Sequence, residues 1–215
     1  FDQLFNDFFR KRYPKDEIVS VAFGDINYDA HPSFETLEWS DDEINYIHQN
    51  STFKNTLFKR ENATETNFRK LLNESDNVTR IHLSLHAFND NNNYKKSSII
   101  FAKDNDNDGA LTYKEAERLD FSNVNLVVLS ACETNAGKTV NNFSHLTIQH
   151  LFKMNGADNV ISTLWKIDDK ATFYFMRELY DSINTYFYNT PLAVSNAKRN
   201  FILKYPEYNH PYYWA

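Results

Sequence analysis

With 215 residues, 41% hydrophobic and 16% aromatic, the chain is long enough for one large domain with a real core, and 24% charged residues mark it as globular rather than disordered. A net charge of -6 argues against nucleic acid as a direct partner, and the clusters Arg10-Lys11-Arg12 and Lys95-Lys96 read as isolated solvated surface. No apolar run nears the ~18 residues of a membrane span, so no membrane partner is expected. The single cysteine, Cys132, excludes an internal disulfide and fits a reducing, cytoplasmic setting.

Only 4 glycines and 5 prolines punctuate the chain, so polar clusters must delimit most elements. Ile18 to Phe23 reads as a strand turning at Gly24-Asp25, and Pro32 to Trp39 as a loop. Ser40-Asp41-Asp42-Glu43 has the form of a capping box and predicts a helix through Ile47. Asn55 to Phe58 is a candidate short strand, and Thr64 to Leu72 carries Phe68, Leu71 and Leu72 at helical spacing. From Arg80 to His86, Ile81, Leu83 and Leu85 alternate with His82, Ser84 and His86, a strand pattern. After the polar stretch Asn89 to Lys96, Ser98 to Ala102 is a strand, Thr112 to Leu119 a short helix, and Val124 to Leu129 a central strand covered on both faces. A helix over Ser144 to Met154, a strand over Asn159 to Leu164 and helices over Asp168 to Ile183 and Pro191 to Leu203 complete the series. Strands alternating with helices predict an α/β sandwich around a mainly parallel sheet. Phe1 opens without an initiator Met and Ala215 follows Tyr212-Tyr213-Trp214, so residues 1–215 read as a single domain cut from a longer chain.

In such sheets chemistry collects past the carboxyl ends of the strands. Two predicted strands run into reactive side chains, one at His86 and the other at Ser130-Ala131-Cys132-Glu133-Thr134. A thiol becomes a good nucleophile only as the thiolate, and an imidazole beside it can take its proton and later protonate the leaving amine. Backbone N–H groups flanking the two residues can hold the developing oxyanion. The spacing, 132 − 86 = 46 residues, matches the His-before-Cys separation of about fifty found in caspases.

Several motifs, in order, resemble the CHAT family of caspase-like peptidases. Ile81-His82-Leu83-Ser84-Leu85-His86-Ala87 stands where that family has a strand ending in His-Gly. Asp108-Gly109-Ala110-Leu111-Thr112-Tyr113-Lys114-Glu115 matches its Asp-Gly-x-Leu-Thr-x-x-Glu stretch, and Leu129-Ser130-Ala131-Cys132-Glu133-Thr134 followed by Gly137 matches its cysteine motif. Gly156-Ala157, Leu164-Trp165-Lys166-Ile167-Asp168-Asp169, Met176, Tyr180 and His210-Pro211-Tyr212-Tyr213-Trp214-Ala215 follow in register. The resemblance implies a caspase-like three-layer α/β/α sandwich, related to separase and caspases, whose last strand falls beyond Ala215. It implies a cysteine endopeptidase needing no cofactor, with Cys132 as nucleophile and His86 as base. Oxyanion donors come from Ala87, Cys132 and the Glu133 loop. A protein substrate is implied, with TPR repeats or another sensor region as partner, in bacterial signalling, defence or cell death. Two departures bear on this: Ala87 replaces the usual glycine and resists φ > 0, and Asn141-Asn142-Phe143 replaces a glycine-rich turn after Gly137.

Asp168 and Asp169, with Trp165, follow a strand expected beside the catalytic one and are candidate walls of a substrate pocket. A carboxylate there favours a basic side chain before the scissile bond, whereas Asp168 could equally cap the next helix. Asp104, Asp106, Asp108, Thr112 and Glu115, with Gly109, also satisfy the EF-hand calcium pattern. The β-branched segment before Asp104 favours a strand over the helix an EF-hand requires, so no metal is expected. The readings that compete with a peptidase are a catalytically inactive interaction module of the same fold and a calcium-responsive binding domain.

Overall fold

A computed structural model describes residues 12–14, 17–74, 77–90, 93–130, 133–134, 148–163, 165 and 167–214. Five parallel strands form the central sheet: β1 (Val19–Gly24), β2 (Lys54–Lys59), β3 (Val78–Leu83), β7 (Leu126–Leu129) and β9 (Asn159–Ser162), in the order β2-β1-β3-β7-β9. A second sheet, β6-β5-β4-β8, is built from β4 (Ala87–Asn89), β5 (Ser98–Ile100), β6 (Ala110–Thr112) and β8 (Glu133–Thr134). The helices are α1 (Ser40–Asn50), α2 (Glu65–Glu74), α3 (Tyr113–Ala116), α4 (Ile148–Met154), α5 (Asp169–Thr185) and α6 (Thr190–Lys204).

Strand alternation divides the core between the two faces of the sheet. Leu126 and Val128 of β7 face a cluster made by Ile47 of α1, Phe175, Met176 and Leu179 of α5, and Ala197 and Phe201 of α6. Val127 and Leu129 face the opposite cluster, with Phe68 of α2 and Leu151 and Phe152 of α4. Helices thus cover both faces, giving the expected three-layer α/β/α sandwich around a parallel sheet. On the second face Phe23 is fully buried, stacked on Phe58 at 4.5 Å and edge-on to Phe68 and Phe101 at 5.6 and 5.7 Å, contacts that add to the burial of four large rings.

Three local expectations are corrected. Ser40 and Glu43 form no capping box. Ser40 is the first residue of α1, and its buried hydroxyl accepts the Asp25 N–H at 2.9 Å and donates to the Ser84 carbonyl at 3.0 Å. Glu43 points inward to His82, 2.7 Å from its Nε2, and Tyr180 closes the network on Nδ1 at 3.0 Å. Gly24 lies under this contact: a Cβ there would meet Ser40 Oγ at 2.7 Å. Second, β3 ends at Leu83, short of His86, and all six of its residues are buried. The alternation at Ile81–Leu85 therefore reflects a central strand whose polar face is taken up by the Glu43–His82–Tyr180 network rather than by water. Third, of the small sheet the sequence marks only β5, within the strand read over Ser98 to Ala102. The other strands, β4, β6 and β8, are two or three residues long, too short for periodicity to register.

The capping box is instead at α3, where Thr112 N–H donates to Glu115 at 2.9 Å. The acidic loop before it joins antiparallel strands β5 and β6. Asp104 accepts the N–H groups of Asp106 and Asn107 at 2.8 Å each, and Asp108 that of Ala110 at 2.9 Å. Gly109, at φ 85°, makes the tight return that an added Cβ would block against the Phe101 carbonyl at 2.6 Å. The segment is a hairpin loop in which the Asp104 and Asp108 carboxylates serve its own backbone. Among the described residues no group of three His, Cys, Asp or Glu side chains could hold a metal ion, and no helix is long and apolar enough to cross a membrane.

Candidate active site

The chain runs outward from β1 to β2 and then crosses to β3 on the other side of β1, so the loops leaving β1 and β3 diverge. The carboxyl ends of these strands are where an open α/β sheet forms a crevice. A cleft of about 450 Å³ lies there, lined by Glu35, Thr36, Leu37, Glu38 and Trp39 after β1, His86 after β3, Ser130 after β7, and Thr163 with Ile167–Lys170 and Thr172 after β9. That volume is within the usual range for ligand sites.

His86 stands in this cleft and is only 2% exposed. Its ring packs edge-on against Tyr28 at 4.8 Å and against Phe34 at 5.1 Å. Its backbone N–H donates to the Tyr28 hydroxyl at 3.2 Å, and its carbonyl accepts from Ile100 N–H at 2.9 Å. Nε2 lies 2.7 Å from the Glu35 carbonyl. A carbonyl only accepts, so Nε2 carries a proton, and in the neutral ring Nδ1 then holds the lone pair. The imidazole is thus held in one orientation and one tautomer, with Nδ1 as its proton acceptor.

Cys132 lies outside the described residues, as do Ala131 and residues 135–147, which include Gly137, Asn141–Phe143 and the start of the helix expected from Ser144. The chain on either side is described. β7 pairs with β3 through Leu83 and Leu129, and Ser130 N–H donates to the Leu83 carbonyl at 2.9 Å. β8 runs parallel to β4, with Glu133 opposite Phe88 and Thr134 opposite Asn89. Ala87 is an extended strand residue paired with Ile99. The non-glycine residues with positive φ, among those described, are Asp25 and Arg60. Alanine therefore stands at position 87 without backbone strain.

The cleft brings Asp168 and Asp169 together with His86, and leaves Trp165 aside. Asp168 caps α5, accepting Ala171 N–H at 2.9 Å. Asp169 accepts Trp39 N–H at 2.8 Å. Burial raises the Asp169 carboxyl to about 6 against the pull of that N–H, with the negative charges of Glu43, Asp168 and Glu38 adding to the rise. Trp165 donates its indole N–H to the Tyr212 carbonyl at 2.8 Å and stacks on the Tyr212 ring.

Sequence reasoning placed a loop at Pro32 to Trp39 but missed its part in the site: it supplies the carbonyl that orients His86 and two of the four carboxylates that line the cleft among the described residues. The signal for it was positional: it follows the first strand's carboxyl end, where an open sheet places its chemistry.

The sequence model of the CHAT domain matches residues 9–215. The chain belongs to the CHAT family. No curated protein matches this CHAT domain. Among solved structures it is similar to a chain of the complex of Porphyromonas gingivalis RgpB pro- and mature domains, with a TM-score of 0.51 and 12% identity. The likeness covers 92% of this chain and 45% of that one, so the CHAT domain spans less than half of its length. At that identity the likeness is one of fold.

Proposed function

We propose that this CHAT domain is a cysteine endopeptidase in which Cys132 is the nucleophile and His86 the general base. The observation that carries this reading is the hydrogen bond from His86 Nε2–H to the Glu35 carbonyl at 2.7 Å inside the strand-end cleft. A buried imidazole locked with its lone pair on Nδ1 is prepared to take a proton from a thiol. The chain flanking Cys132 supports it: Ser130 lines the same cleft, and Glu133 pairs beside Phe88, two residues past His86.

The mechanism follows from these roles. Nδ1 takes the Cys132 proton, and the thiolate attacks the scissile carbonyl carbon. The tetrahedral oxyanion is met by the N–H groups of Ala87 and Cys132. The imidazolium returns the proton to the departing amine, leaving a thioester. A water molecule, deprotonated by the same imidazole, then hydrolyses the thioester and restores the thiol. Each step is acid–base chemistry on one histidine, and the residues named supply it without a cofactor.

Specificity rests on the cleft wall. Among the described residues, Glu35, Glu38, Asp168 and Asp169 line it with one cation, Lys170, whose ammonium sits 5.3 Å from the Trp39 ring. Such a wall favours Arg or Lys before the scissile bond. The substrate is accordingly a protein with a basic cleavage site, and TPR repeats or another sensor region in the full-length protein would present it, in a bacterial signalling, defence or cell-death pathway. The reading as an inactive module drew on Ala87 and on Asn141-Asn142-Phe143 after Gly137; the extended conformation of Ala87 weighs against the first ground, and the second lies outside the described residues.

The test is labelling of the purified chain with an Arg-directed acyloxymethyl ketone, alongside Cys132→Ala and His86→Ala. Labelling that both substitutions abolish is the expected result. Iodoacetamide reacting at Cys132 no faster than with a free thiol, together with no ketone labelling, would overturn the proposal.

A further inference from the structure

Asp169 is placed at a cost. Burial and the neighbouring carboxylates of Glu43, Asp168 and Glu38 all disfavour its ionised form, and the Trp39 N–H is the contact that opposes them. Helix capping does not account for it, because Asp168 already caps α5 through Ala171 N–H. What Asp169 does hold is the far end of the loop that orients the histidine. Oδ2 accepts Trp39 N–H at 2.8 Å, and the Trp39 ring is stacked on Phe173 of α5 at 5.4 Å with Lys170 over it. Four residues back along that loop, the Glu35 carbonyl accepts from His86 Nε2–H, and Phe34 lies against the His86 ring.

We propose that Asp169 is a positioning residue: by holding Trp39 N–H it pins the loop 35–39 to α5 and so keeps the Glu35 carbonyl where it fixes the orientation and tautomer of His86. This rests on the Cys132–His86 reading above. It makes a carboxylate that lines the cleft act on the base as well as on a basic substrate side chain. The coupling is mechanical, through a short loop gripped at both ends. Without the grip at Trp39, the Glu35 carbonyl loses its fixed distance from Nε2, and the imidazole can rotate or change tautomer.

Cys132 is the chain's one cysteine, so thiol alkylation reads this coupling without a substrate. Iodoacetamide has no side chain for an acidic wall to recognise, so a carboxylate used solely for substrate binding would leave its reaction unchanged. The measurement is the pH dependence of Cys132 alkylation in wild type, His86→Ala, Asp169→Ala and Asp169→Asn. Wild type is expected to show an inflection below pH 7, and His86→Ala one near the free-thiol value of about 8.5. Asp169→Ala should move the inflection toward that of His86→Ala and slow alkylation at pH 6.5 by about five- to tenfold, the thiolate fraction being partly offset by intrinsic nucleophilicity. Asp169→Asn keeps an acceptor for Trp39 N–H and should retain the wild-type profile. Should Asp169→Ala fail to fold, Asp169→Leu, of similar shape but without an acceptor, carries the same expectation. A wild-type profile in the Ala or Leu variant overturns the inference and leaves the dyad standing. A wild-type profile matching that of His86→Ala overturns the dyad, and this inference with it.

Discussion

The Asp169 carboxyl also makes a prediction about stability that needs no activity. Its folded value, raised from 3.8 to about 6 chiefly by burial, exceeds its unfolded value. The folded protein therefore holds this proton more tightly, and the stabilisation from protonation is fully present below pH ~4 and lost as pH rises through 6. At 1.36 kcal/mol per unit the rise corresponds to about 3 kcal/mol, and because the side chain is only half-buried, solvent screening reduces this to about 1–2 kcal/mol. Asp169→Asn, which keeps the acceptor and cannot ionise, should thus match wild type near pH 4 and exceed it by about 1–2 kcal/mol at pH 7.5. Urea denaturation of both proteins at half-unit steps from pH 4 to 8 measures the difference. A difference that does not change with pH would mean that the carboxyl titrates alike in the folded and unfolded chain, and an Asn variant less stable at pH 7.5 would mean that the ionised carboxylate stabilises the fold; either result refutes the reasoning.

Tyr180→Phe strips the His82 ring, 0% exposed, of its hydroxyl partner and should cost about 1–3 kcal/mol in denaturant unfolding; an unchanged midpoint would mean that water replaces the hydroxyl. Arg80 is buried between the Phe53 and Phe187 rings, 4.8 and 4.3 Å away, with one guanidinium N–H on the Phe187 carbonyl, and burial lowers its pKa to about 10. Arg80→Met keeps the packing without the charge and should stay within about 1 kcal/mol of wild type, whereas Arg80→Lys, a compact ammonium that cannot stack as a planar group, should lose more; the reverse order of melting temperatures would contradict this. Calorimetric titration with millimolar calcium should give no binding heat, since the Asp104, Asp108 and Glu115 carboxylates are engaged with their own backbone and the start of α3; a saturable heat removed by Glu115→Gln would show otherwise.

Much of this architecture was legible in the residues themselves. The apolar runs at Val19–Phe23 and Leu126–Leu129 and the helical spacing in α2 and α5 are local signals, because strand and helix periods are properties of consecutive residues. The order of motifs from His86 to Asp169 likewise needs no coordinates, and it led to the family. What consecutive residues cannot encode is which polar group meets which. Ser40 and Glu43 have the spacing of a capping box, yet both turn inward, because β1 and β3 bring Asp25, Ser84 and His82 to their side of the helix. Asp169 reads in sequence as a candidate pocket wall, and only the fold sets it against Trp39, 130 residues away along the chain. The Glu35 carbonyl carries no side-chain signature at all, and its hydrogen bond to His86 spans 51 residues. Hydrogen bonds form between atoms that are close in space, and a linear pattern reports spatial neighbours only within one turn of helix or across one pleat. The elements and their order were therefore set locally, whereas the tautomer of His86, the grip on its loop and the acidity of the cleft wall were decided only when the strand ends converged.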